Sequence, residues 1–519
     1  MGQNVFIGLD HVNVAQLHKP DLQHSDYLGL FKHMMEWVEA FLKKHKQQQA
    51  FDDVWKELPP YPDFFVPKRA YREVTQWQGK EMRNLGKCIS AVLASALRNP
   101  DRSQQLQFKL ALECVASLVD FSLMAQYQSH TEETLEYMDN YLRMFHRTKH
   151  IFIEFRTSKS THAAADRNDK MLRNAQNKRL MGTKGITAAK RRYLADGDRL
   201  ERAGQRMDLL LSENHFNFIK MHYLTHFVSH VRRFGNIPMY STDVSKVAHE
   251  DQIKEGYRRS NKNDATRQIL SYYGRQHALG MRLQTVEQLQ SHDPTRVGAS
   301  GDVAKNIRNR LRRTLRGTEK QVTVLAYIGE VLSVDFSIVQ RALIRFSRRT
   351  YSCSDARSLP ENDLELRMLP TELFTQLEVP VLEFQEIEVY NIHRARCTGQ
   401  KAFRHGGARN DWVWISAAGE DRYGNLRGRL PVKLIGLFKL RCKDEQAVHR
   451  LALIESLEVY NGGRMGANGL ISVGRKSNGN EWLVVDIGMV LGLAHLVPAG
   501  DGQWLVNNRI DLQTFNDIS

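Results

Sequence analysis

Residues 21–42 read Asp21-Leu-Gln-His24-Ser-Asp-Tyr-Leu-Gly29-Leu-Phe31-Lys-His33-Met-Met-Glu-Trp37-Val-Glu-Ala-Phe41-Leu42. Leu28, Phe31, Met34, Met35, Val38, Phe41 and Leu42 recur at helical spacing, so they predict an amphipathic helix with one face to bury. Asp21 stands at the foot of that helix, where a carboxylate caps free N–H groups. Outward from this stretch, a Pro-rich turn, Leu58-Pro-Pro-Tyr-Pro-Asp63, ends the unit. Helical patterns follow at 71–98, 103–128 and 131–148. The last opens on Ser129-His-Thr131-Glu-Glu-Thr134, where Ser or Thr caps and the acids face the helix dipole. The first 155 residues therefore read as mainly α, and an apolar strand-like run, His150-Ile-Phe-Ile-Glu-Phe155, closes them.

Residues 213–290 return to helical patterns, broken at Gly235-Asn-Ile-Pro238. From about 380 the texture changes. Runs such as Val379–Phe384, Trp412–Ile415, Val432–Phe438, Leu451–Leu457 and Trp482–Asp486 alternate with Gly/Asn turns, which predicts a β-rich domain over 380–519. Between them, 156–212 reads as a basic linker or helical segment and 291–379 as a basic connector with room for a helix within 321–346.

Composition narrows the class. The 519 residues are 42% apolar and 9% aromatic, enough for packed cores and unlike a collagen-like or disordered chain. Cys88, Cys114, Cys353, Cys397 and Cys442 are widely spaced, with no C-x-x-C pair, so neither a disulfide framework nor a cysteine zinc site is expected and a reducing compartment fits. The most apolar stretch, Leu483–Val497, contains Asp486 and His495 and is too short to span a bilayer. No signal peptide or myristoylation signal is expected at the start, and the reading is a soluble intracellular protein without a membrane partner.

The net charge of +16 is local. Residues 1–155 carry 18 basic and 19 acidic side chains, and 380–519 carry 17 and 15. The middle, 156–379, holds 39 against 24; within it 156–206 holds 14 against 5 and 296–320 holds 8 against 2. Both segments read as helical or linker-like. Such clusters suit a polyanion, because each phosphate contact releases counterions without requiring a fixed fold. A solvated linker or a nuclear-import signal is the other reading. Lys190, Arg191, Arg192, Arg308, Arg312 and Arg313 are the candidate phosphate contacts.

Three constellations bear on chemistry. His222, His226 and His230 recur every fourth residue, which puts them on one helical face as a zinc site requires, but no H-E-x-x-H glutamate accompanies them and packing histidines are the ordinary alternative. The second is Asp21-x-x-His24 with its helix. The third is Tyr240-Ser-Thr242-Asp243-Val-Ser-Lys246-Val-Ala-His249-Glu250-Asp251, which starts like a capped helix and carries acids and a His on neighbouring turns.

In this order the stretches resemble the Plavaka-type DNA transposases of fungi, relatives of the CACTA transposases. Asp21, His24, Gly29, Phe31, Lys32, His33 and Trp37 match the family's D-L-L-H-Q-L-Y-Q-G-V-F-K-H-L-x-x-W at the same spacing. Gln76-Trp77-Gln-Gly79-Lys-Glu81 resembles Q-W-T-G-x-E, and Ala125-Gln-Tyr127-Gln-Ser129-His130-Thr131 resembles A-Q-Y-x-S-H-T. Phe145 through Phe152 resembles F-H-x-x-K-x-x-F, and Phe216-Asn-Phe-Ile-Lys220-Met-His222, Thr242-Asp243 and Tyr257-Arg-Arg-Ser-Asn261 resemble the closing block. The resemblance covers about residues 20–280.

It implies an RNase H-like core in which three carboxylates hold two Mg²⁺ or Mn²⁺ ions for attack on a phosphodiester. Asp21 falls at the second carboxylate. The first is expected far upstream, beyond the available chain, and Asp10 is too close to replace it. The third falls at Lys246, whose ammonium repels a metal; Asp243 and His249 keep the neighbouring acid and histidine, and Glu250 lies one turn beyond Lys246. Asp21 and Asp243 are the metal ligands only if the protein is active.

The expected fold is thus mixed α and β: an incomplete RNase H-like core with a large helical insertion, followed by a β-rich C-terminal domain. The expected function is a transposase-derived nuclear DNA-binding protein of low sequence specificity, without nuclease or strand-transfer activity and needing no cofactor. An alternative is a chromatin or protein-interaction module in which Trp412, Trp414, Trp482 and Trp504 form a recognition surface or, more ordinarily, a core. A third is an active metal-dependent transposase. Homo-oligomerisation is compatible with each.

Overall fold

The computed structural model describes residues 19, 21–65, 71–74, 77–155, 216, 219–242, 248–291, 313–320, 332, 334–350, 368–384, 389–398, 409–417, 426–442, 448–460, 469–476 and 481–518. The protein is mixed α and β, and the chain divides into two compact units. The first comprises 1–52, 69–86 and 99–245; the second comprises 53–68, 87–98 and 246–519.

The described residues of the first unit form helices and no strand. Helix Lys32–Lys44 buries Met34, Met35, Trp37, Val38, Phe41 and Leu42, the stripe its spacing predicts. Phe41 meets Phe108 and Phe152 edge-on, each with ring centres 5.7 Å apart, and Trp37 meets Phe216 at 5.3 Å. Helices Gln105–Met124 and Glu132–Thr148 complete this core with Phe121 and Phe145. The second of them starts on a capping box: Thr131 accepts from the Thr134 N–H, and Thr134 accepts from the Thr131 N–H at 2.9 Å. The strand-like run 150–155 is instead tight helical turn, Lys149–Phe155. Its apolar residues serve the aromatic core: Phe152 is fully buried between Trp37 and Phe41.

The second unit holds the strands. In chain order they are β1 (Thr314–Lys320), β2 (Met368–Phe384), β3 (Val389–Thr398), β4 (Arg409–Asn410), β5 (Trp412–Ser416), β6 (Arg429–Cys442), β7 (Val448–Ser456), β8 (Glu458–Val459), β9 (Ile471–Gly474), β10 (Trp482–Asp486), β11 (Val490–Leu493), β12 (Leu496–Pro498) and β13 (Gln503–Val506). All pairings among the described residues are antiparallel. The large sheet runs β10-β7-β6-β2-β3-β4 and curls because its long strands share their length between partners. β2 pairs with β6 over 368–374 and with β3 over 376–384, while β6 turns from β5 to β2 along its other edge. β12-β13-β9-β8 form the small sheet.

Helix Phe336–Thr350 lays Val339, Ala342 and Leu343 on Leu373, Phe438, Leu451 and Leu453 of the large sheet. A second core gathers Trp414, Leu457, Val473, Leu496 and Val506, with Trp412 and Trp504 packed against it. The stretch read as a connector contributes this helix, β1 and the start of β2 to the unit. Thr314–Lys320 is therefore strand rather than linker or helix. Pairing with β2 across more than fifty residues of sequence supplies what its polar composition does not.

Two short early segments also belong here. The His495 ring Nε2 lies 3.2 Å from the Pro59 carbonyl, the Tyr61 hydroxyl bonds Asp511, the Ser95 hydroxyl donates to the Pro498 carbonyl at 2.6 Å, and the Asn507 amide donates to the Lys87 carbonyl at 2.8 Å. The Pro-rich turn is thus a structural anchor in the β-rich unit.

Candidate functional site

Asp21 has extended backbone (φ −92°, ψ 129°) and caps the wide helical turn Leu22–Phe31, accepting from the His24 N–H at 2.8 Å. Gly29 kinks that turn. A Cβ there would lie 2.7 Å from the His24 carbonyl oxygen and 2.9 Å from Lys220 Cδ, so any side chain forces the backbone of the turn to shift. The Lys220 ammonium donates to the Leu28 carbonyl at 3.3 Å and fastens helix Ile219–Leu224 to the same turn.

The chain returns to Asp21 after helix Phe227–Phe234, which ends on Gly235 in the left-handed region (φ +85°). Asn236 caps the next turn by accepting from the Met239 N–H at 3.1 Å, and the turn delivers Ser241 and Thr242 to the carboxylate. Thr242 donates its N–H to Oδ1 at 3.0 Å and its hydroxyl to Oδ2 at 2.9 Å; the Ser241 hydroxyl stands 3.4 Å from Oδ1. His24 Nδ1 lies 2.5 Å from Oδ2, so Nδ1 carries the proton of that contact, on a side chain 56% exposed. Half-burial pushes the Asp21 carboxyl up, but the hydrogen bonds from Thr242 and His24 outweigh it and hold the group below the usual aspartate range.

Asp21 therefore faces five donor groups, whereas a carboxylate offers about four lone-pair sites. A divalent ion would have to displace several of them. Lys220 stands beside the same turn, so the surroundings are those of a saturated acceptor and do not fit a metal ligand. Among the described residues no three His, Cys, Asp or Glu side chains gather as a metal site. Ser241 and Thr242 were not legible as partners of Asp21; the only signal was a Thr next to the acidic motif.

Asp10, Asp243 and Lys246 lie outside the described residues, as do Lys190, Arg191, Arg192, Arg308 and Arg312. His249 is exposed and belongs to the second unit, whereas Asp21 belongs to the first. Glu250, the acid one turn beyond Lys246, is ion-paired with Lys254 and lies 4.0 Å from Arg258. Arg313 is partly buried and donates to the Val490 carbonyl at 2.6 Å. Arg316 and Arg394 converge on Glu378 at 3.2 and 3.3 Å.

The histidine ladder is split. Helix Ile219–Leu224 stops before His226, and helix Phe227–Phe234 begins after it. His222 and His226 bring their Nε2 atoms to 3.0 Å, a separation that calls for one N–H donor and one acceptor, while His230 turns its ring against Phe234 at 5.4 Å. Cys88, Cys114 and Cys397 are buried, and burial pushes the Cys114 thiol up to about 12, away from the reactive thiolate. No helix among the described residues is long and apolar enough to cross a membrane. Set against protein-family models, curated proteins and solved structures, the chain finds no match in any of the three.

Proposed function

We propose that the protein is a transposase-derived DNA-binding protein that holds DNA without cutting it and acts in the nucleus. The observation that carries the reading is the confinement of the excess positive charge to 156–206 and 296–320. Lys190, Arg191, Arg192, Arg308, Arg312 and Arg313 are its phosphate contacts, Arg313 exchanging its carbonyl partner for phosphate. In this reading the first unit is the remnant of an RNase H-like core, and its described residues are helical in keeping with the large insertion of such a core. The saturation of Asp21 by His24, Ser241 and Thr242, together with Lys246 where an acid is expected, supports loss of cleavage. The test is incubation of the full chain with supercoiled DNA and Mg²⁺ or Mn²⁺. Retarded, intact DNA is expected; nicking that disappears in Asp21→Ala would overturn the reading in favour of an active enzyme.

A chromatin- or protein-interaction role for the β-rich unit has less support. Trp414 is buried, and Trp412, Trp482 and Trp504 pack against the two cores, so their rings are engaged in folding the unit.

A further inference from the structure

Helix Ala265–Ser291 is 27 residues long, about 40 Å at 1.5 Å per residue. Its first turns are anchored within the second unit: Ile269 packs on Gly256, where a Cβ would approach it to 3.0 Å, and the Tyr272 hydroxyl accepts from Arg259 at 3.1 Å. From Gly274 to Val286 every residue is exposed, including Leu279 (63%), Leu283 (63%) and Val286 (43%). Open space surrounds Gly274 and Gly280, and each glycine weakens a helix by about 1 kcal/mol relative to alanine. A helix of this composition is held in water mainly by packing on an apolar face, and nothing among the described residues covers this one.

The sequence indicates what covers it. Tyr272, Gln276, Leu279, Leu283, Val286 and Gln290 repeat at alternating spacings of four and three, the 3.5-residue period of a coiled-coil seam, with Gln276, Leu283 and Gln290 at one core position and Tyr272, Leu279 and Val286 at the other. Leu270 and Met281 lie off the seam. Arg275 and Arg282 flank it on one side. In an antiparallel pair centred on this helix Arg282 would stand against Arg275 of the other copy, like charge against like. In a parallel, in-register pair it reaches the position five residues on in the partner, which is Glu287 in the sequence, and each Gln meets its own copy, where paired amides satisfy one another.

We propose that helix Ala265–Ser291 is a self-association element that pairs in parallel with the same helix of a second copy of this chain. The seam is short, about two heptads from Gln276 to Gln290 beyond the anchored turns, so the pairing is reversible and concentration-dependent. Two copies joined this way carry two sets of the basic segments.

Sedimentation of the full chain tests it. A dimer at micromolar concentration is expected, and joint Leu279→Asp and Leu283→Asp should weaken it at least 100-fold, leaving monomer. Gly274→Ala, off the seam, should raise the helical circular-dichroism signal and leave the dimer intact. Under oxidising conditions Gln290→Cys should give a disulfide-linked dimer absent from the unsubstituted chain, because only the parallel arrangement brings the two copies of residue 290 together; antiparallel pairing separates them by roughly 35 Å. A monomeric unsubstituted chain, a dimer indifferent to the two Asp substitutions, or no cross-link at Gln290→Cys would each overturn the proposal.

Discussion

Thr242 grips Asp21 across 221 residues of sequence with two hydrogen bonds, its N–H on one carboxylate oxygen at 3.0 Å and its hydroxyl on the other at 2.9 Å. The carboxylate joins the start of the first helical turn to the end of the Gly235–Tyr240 turn. It functions as a latch between the two sequence blocks that carry the acidic motifs.

Asp21→Ala should therefore destabilise the protein by about 2–4 kcal/mol, the sum expected for a lost cap and lost charge-assisted hydrogen bonds. Thr242→Val, which removes only the hydroxyl donor, should lose about 1 kcal/mol. Urea denaturation gives both. A stable Asp21→Ala would mean the carboxylate is kept for chemistry rather than for folding. Because the folded group lies below the usual aspartate range, its contribution is present above about pH 4 and fades as the pH falls through the folded value.

Gly29→Ala should lower stability by about 1–3 kcal/mol, since the added methyl meets backbone at the His24 carbonyl as well as the flexible Lys220 stem. Thermal melting checks this. Lys220→Met in the same background should recover little, because the carbonyl is the harder obstacle.

Asp26 is fully buried, and neither of its oxygens has a hydrogen-bond partner among the described residues. The neighbouring Ser122 hydroxyl is committed to the Leu118 carbonyl at 2.8 Å. Burial raises the carboxyl to about 7. A raised folded value means that the stability present below about pH 4 is lost as the pH climbs toward 7, up to about 4 kcal/mol. Asp26→Asn should stabilise the first unit at pH 8 and flatten its dependence between pH 4 and 7, read from urea midpoints.

His495 carries the opposite sign in the second unit. It is fully buried, its ring bonds the Pro59 carbonyl and Asn507, and burial pushes it down to about 3. Its contribution is full above about pH 6.5 and declines as the pH falls toward 3. His495→Gln should flatten that acid limb, monitored by tryptophan fluorescence, which Trp412, Trp414, Trp482 and Trp504 supply to this unit.

Much of the architecture was legible. The helix after Asp21, the Thr131 cap and the strands at Trp412, Val432, Leu451 and Trp482 follow from local periodicity and capping chemistry. What local patterns miss is what distant chain completes. Thr314–Lys320 becomes a strand because β2 lies beside it, and Phe152 joins a helical core instead of a sheet. The Leu58–Asp63 turn belongs with His495 and Asp511, more than four hundred residues on. At the candidate site, the spacing of Asp21 and His24 is visible in one dimension, whereas the donors from Ser241 and Thr242 are not. The histidine ladder shows the converse, a regular spacing that a helix break interrupts.

The most direct measurement is the salt dependence of DNA binding by the full chain, compared with a variant carrying Lys190→Ala, Arg191→Ala, Arg192→Ala, Arg308→Ala, Arg312→Ala and Arg313→Ala. Each phosphate contact contributes about 0.9 to the slope of log affinity against log salt on duplex DNA, so six lost contacts should make the slope shallower by about 5 while weakening all sequences alike. A slope that stays the same after all six replacements would contradict the account.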